Sequence, residues 1–152
     1  MRERATGIGI AACSILLLLT SCAPPAPIPT SIDERQRLRL PPQARDKVLL
    51  EMRLMLEATD QIMQGLVRED HASVGRAARG AGMAMAADID PEIMKHLPQE
   101  FLDLGVRTHK AFDELADRMA AGGTTADAIR GLAGLTGNCV GCHASYRLDE
   151  LR

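Results

Sequence analysis

Tryptophan is absent, tyrosine occurs once and phenylalanine twice in 152 residues. So few aromatics argue against a sandwich or barrel, whose strands favour aromatic and β-branched residues. Neither charge sign is in excess: 18 basic and 20 acidic residues leave a net charge of −2. The chain therefore lacks the electrostatic footprint of a nucleic-acid binder. No apolar run is long enough to span a bilayer, because Ile8 to Leu19 falls short of the roughly 20 residues a ~30 Å core requires. Cysteine is scarce, at four residues. What is plentiful is Ala, Leu, Met, Arg and Glu, a composition that suits helices, in a length that suits one domain.

The amino terminus reads as targeting and tether. Arg2 and Arg4 precede the apolar stretch Ile8–Leu19, which has the length of a signal h-region. It ends in Leu19-Thr20-Ser21-Cys22, which resembles a bacterial lipobox. That resemblance implies cleavage before Cys22 and acylation of its thiol and amine. Ordinary signal cleavage near Ala23 to Ala26 is the alternative. The expected organisation is a lipoprotein signal peptide over 1–21, an acylated, Pro-rich tether over 22–40, and a folded domain over 41–152. A periplasmic protein held to a membrane by its lipid follows. Ala23 in place of an Asp favours the outer membrane over the inner. Ser31-Ile32-Asp33-Glu34 has capping-box spacing and predicts a short helical arm up to Leu40.

Caps and periodicity then predict four helices. Pro41-Pro42 opens the first, with Val48, Leu49, Met52, Met55, Leu56, Met63 and Leu66 at helical spacing towards Arg68. Asp70 caps a second, expected through about Ala87, whose inner face is small: Gly75, Ala78, Gly82 and Ala86. A short turn follows Asp90-Pro91. Pro98 starts a third helix to about Ala121, and Thr124 with Asp127 caps a fourth, expected to end near Glu150. No strand-like alternation is apparent. The predicted fold is all-α, an antiparallel up-down-up-down four-helix bundle.

The cysteines carry the chemistry. Cys13 leaves with the signal and Cys22 takes the lipid, so Cys139 and Cys142 remain, followed by His143. Cys-x-x-Cys-His is the attachment pattern of c-type haem. Residues three and four apart share a helix face, so two thiols can add to the two vinyl groups of one porphyrin while the imidazole reaches the iron. A redox dithiol is disfavoured because it usually opens a helix after a strand. A zinc site is disfavoured because His71, His96 and His109 are scattered. A plain disulfide is the remaining alternative.

A four-helix chain with this motif near its carboxyl end, followed by Tyr146-Arg147, resembles the cytochrome c-prime family and its low-spin relatives. The resemblance implies one covalent haem c near one end of the bundle, His143 as proximal iron ligand, and Arg147 at the haem edge. It also implies a distal position on the first helix that is either apolar, leaving five-coordinate iron, or a ligating Met. His143, about seven residues from an end near Glu150, lies ~10 Å deep at 1.5 Å per residue. The matching window on the first helix, Val48 to Met55, puts Met52 central on the apolar stripe as distal ligand. Met55, at its edge, is second choice. Met83 and Met85 are weaker candidates, and His109 reads as a surface or propionate-contacting residue. Leu50 and Leu54, on the back of that helix, suit a homodimer.

The expected function is that of a membrane-tethered electron-transfer protein, not an enzyme, passing single electrons between redox partner proteins. The alternative is a five-coordinate haem protein that binds nitric oxide or carbon monoxide as sensor or scavenger.

Overall fold

The computed structural model describes residues 33–87 and 91–150. The signal segment, Cys22, the Pro-rich stretch and the Asp90 cap lie outside the described residues. The described chain is mostly helical, with one small two-stranded sheet.

Strand β1 (Gln36–Leu40) stands where a helical arm was expected. The reason is a period of two: Leu38 and Leu40 are buried on one face while Arg37 and Arg39 are exposed on the other. Its partner, β2 (Tyr146–Glu150), runs parallel to it, with Gln36 opposite Tyr146 and Leu40 opposite Glu150. The expectation of no strands is thus corrected, and residues 33–40 belong to the same compact unit as the helices.

Helix α1 (Pro42–Val67) begins with Pro in its first turn and buries Ala44, Val48, Ala58, Ile62 and Gly65. Leu50 and Leu54 are exposed, as expected, and so is Met63. A tight turn through Glu69, at φ +55°, leads into α2 (His71–Gly80), where the Asp70 carboxylate accepts from the Ser73 amide at 2.9 Å. A Cβ at Gly65 would lie 2.8 Å from Val74, so α1 and α2 pack nearly backbone to side chain there.

Helix α2 stops at Gly80, short of the expected Ala87, because the chain is recaptured from outside. The Asp113 carboxylate accepts from the Met83 amide at 2.8 Å and starts the short α3 (Met83–Ala86). A Cβ at Gly82 would collide with that carboxylate. The carbonyl of Ala81 is left free of the helix and turned to another use.

After α4 (Pro91–Met94), α5 (Gln99–Ala120) buries Thr108, His109, Phe112, Leu115, Ala116 and Met119. Gly122, at φ +82°, ends the connection, and a reciprocal Thr124–Asp127 capping box starts α6 (Thr125–Ser145). Helix α6 ends at Ser145 and continues directly as β2, so the expected end near Glu150 is also corrected.

Helix α2 packs on α1 and α5, and α5 on α6, whereas α1 and α6 touch only briefly. Two apolar clusters result. One gathers Ile62, Val74, Ala78, Phe112, Leu115 and Leu135 among the helices. The other gathers Leu38, Leu40, Ala44, Val48 and Leu97 beside the strands. Among the described residues no helix is long and apolar enough to cross a membrane.

Candidate functional site

Where α1 and α6 stand apart, the chain leaves a cavity of about 670 Å³. That volume lies within the range of small-molecule and cofactor pockets. Met52 and Met55 of α1, Met83 of α3, Phe101 and His109 of α5, and Cys139, Cys142 and His143 of α6 all line it. Residues far apart in sequence therefore meet on the walls of one cavity.

Cys139 and Cys142 are half-buried free thiols, and the Cys139 thiol points back to the Leu135 carbonyl at 3.7 Å. Burial pushes both thiols above their ordinary pKa. A redox-active dithiol needs the opposite shift, towards thiolate, and an environment rich in positive charge. No group of three or more His, Cys, Asp or Glu residues among those described could hold a metal ion. The zinc alternative gains nothing from the fold.

His143 lies two residues before the end of α6, not seven, so the expected depth of ~10 Å is corrected. The side chain is exposed at the cavity rim, and its backbone carbonyl accepts from the Arg35 guanidinium at 3.2 Å. Met52 nevertheless shares both His143's cavity and a second, smaller hollow beside it. Met55 reaches only the larger cavity and packs against the deeper apolar cluster. Met83 lines the cavity too, whereas Met85 packs on the helix core.

His109 departs most from expectation, being buried, at 3% exposure. Its Nδ1 lies 2.8 Å from the Ala81 carbonyl and its Nε2 lies 3.0 Å from Glu51 Oε1. Nδ1 is thus engaged, while Nε2 sits at ion-pair distance from a Glu51 oxygen that is buried and has no hydrogen-bond partner among the described residues. His71 bonds Thr125 Oγ1 at 2.9 Å, and His96 is exposed on the surface.

Comparison with family models, curated proteins and solved structures gives no match. The site must speak through its own chemistry.

That chemistry fits a flat apolar cofactor with a metal at its centre. The cavity walls are dominated by aliphatic and thioether side chains, with Phe101 among them. Two thiols a helical turn apart face it, the adjacent imidazole reaches its rim, and a thioether comes from another helix. Residues that sequence reasoning missed stand at the same end. Arg45 was legible in principle, since it shares a helical face with Leu49 and Met52. Arg35 and Glu51 carry no local signal, because each acquires its role only through a partner on another element.

Proposed function

We propose that the chain is a c-type cytochrome of the c-prime type, a helical bundle built around one covalent haem and serving single-electron transfer. The observation that carries the reading is the convergence of Cys139, Cys142, His143 and Met52 on one apolar cavity. Each thiol would add across one vinyl group, sulfur to one carbon and its hydrogen to the other, so that nothing is oxidised and nothing leaves.

In this reading His143 supplies the proximal imidazole and Met52 the distal thioether. Met52 is favoured over Met55 because it borders both the cavity and the hollow that His143 borders. His109 is disfavoured as a ligand because the Ala81 carbonyl holds its Nδ1 and its Nε2 faces the Glu51 carboxylate at 3.0 Å. The bound iron supplies a one-electron couple, and a His/Met pair raises its potential. The chain's own part is to exclude water with Leu49, Met52 and Phe101, and to hold the ring by its thiols. Acylation at Cys22 would tether the domain to a bacterial membrane, facing redox partner proteins of the periplasm.

The visible spectrum tests this. Met52→Ala should turn a low-spin spectrum high-spin and open the iron to carbon monoxide, while Met55→Ala should do little. A wild-type protein that is already high-spin and binds carbon monoxide readily would instead favour the gas-binding alternative.

A further inference from the structure

We propose that the hollow bordered by Arg35, Arg45 and Arg147 receives the two propionate carboxylates of the haem, which makes the N-terminal arm part of the cofactor site. The proposal rests on the haem reading above and extends it to residues that the attachment motif does not touch.

The hollow measures about 200 Å³ and adjoins the main cavity, sharing Leu49, Met52, Phe101, Cys142 and His143 with it. Among the described residues three arginines line it and no carboxylate does. They arrive from three places: Arg35 from the arm before β1, Arg45 from the first turns of α1, and Arg147 from β2. Asp33 pairs with both Arg35, at 2.7 Å, and Arg147, at 3.2 Å, so a single carboxylate is shared between two cations. Nε of Arg147 is buried and has no hydrogen-bond partner among the described residues. A buried guanidinium N–H without an acceptor is unfavourable, and a ligand oxygen would satisfy it.

The pairing of compartments selects the ligand. A large apolar cavity beside a small cationic hollow matches a molecule with a broad apolar body and two anionic arms. Arginine forks bind carboxylates in bidentate fashion, which fixes orientation as well as charge. Arg35 adds position: it is held by Asp33 and donates to the carbonyl of His143, linking the arm to the residue that faces the metal. A free oxyanion such as inorganic phosphate offers the same head chemistry without the apolar body.

The test uses the full-length holoprotein with R45Q, R147Q, R147K and, as a control on the exposed face of β1, R39Q. Mass spectrometry in denaturant first reports covalent haem. Midpoint potential and the propionate bending band in resonance Raman are then compared. The expected result is intact haem throughout, with a lower potential and a displaced band in R45Q and R147Q. R147K should restore the potential but not the band, and R39Q should match wild type in both. Unchanged potential and band in R45Q and R147Q, with haem intact, overturn the proposal and leave the haem reading standing. A wild-type potential that responds to added phosphate, with the response lost in R147Q, assigns the hollow to a free anion and also overturns it. A chain without covalent haem overturns both readings, and the mass measurement separates that case from the others.

Discussion

Nε2 of His109 lies 3.0 Å from Oε1 of Glu51, joining α5 to α1 inside the cavity wall. The other ring nitrogen faces the Ala81 carbonyl, which can only accept, so Nδ1 carries a proton. Burial opposes charge on this ring, but the Glu51 carboxylate and the carbonyls of Ala81 and Gly82 outweigh it, and the pKa lies above its ordinary value. A raised folded-state pKa stabilises the fold fully below the unfolded value, about 6.5, and the contribution fades as pH rises through the folded value. Urea unfolding should therefore show stability declining from near neutrality into the alkaline range. H109Q should flatten that decline. Parallel slopes in the two proteins would contradict the pairing.

Gly82 owes its identity to Asp113. The Met83 amide, helped by Arg79, holds that carboxyl below the usual carboxylate range. Gly82→Ala should push the carboxylate away and destabilise the fold by about 1–3 kcal/mol, the usual effect of overpacking. The His109 imidazole resonance should move with it, because the Ala81 carbonyl is displaced. Thermal unfolding and the histidine NMR titration read the two effects separately.

The arm contributes to stability as well as to the site. Leu40 is fully buried, and Leu40→Ala should lose about 2–5 kcal/mol. Arg39→Ala, on the exposed side of the strand, should stay within about 0.5 kcal/mol of wild type. Equal losses in denaturant titrations would show that the strand does not dock as described.

Covalent attachment predicts a graded chemical outcome. Cys139→Ser and Cys142→Ser should each leave the haem held by one thioether, and the double variant should release it to acid-acetone. Haem that acid-acetone extracts from the unmodified chain would remove the basis for the cytochrome reading.

Features whose cause is local were legible in the sequence. The Asp70 and Thr124 caps act within three residues of themselves, and both form as expected. The helical spacing of Val48, Met52 and Met55 likewise placed the two thioethers on the wall that Cys142 and His143 share. Features caused at a distance were not legible. Gln36–Leu40 is too short a pattern to announce a strand without Tyr146–Glu150 beside it. The break at Gly80 depends on Asp113, which lies one helix away. His109 is buried because α2 ends where it does and leaves a carbonyl for it. The position of Met52 was inferred with the wrong helix end, and helical phase rather than depth carried it.

The parallel pairing of β1 with β2 sets an order of assembly. Arg35 and His143, joined by a hydrogen bond, are 108 residues apart. Contacts of such long range close large loops and form late. Leu38 and Leu40 therefore meet their partner strand only after the intervening helices have brought Tyr146–Glu150 back beside them. Until then the end of the domain that bears Cys139 and Cys142 has no clasp, which gives any process that must reach those thiols its access before the fold shuts.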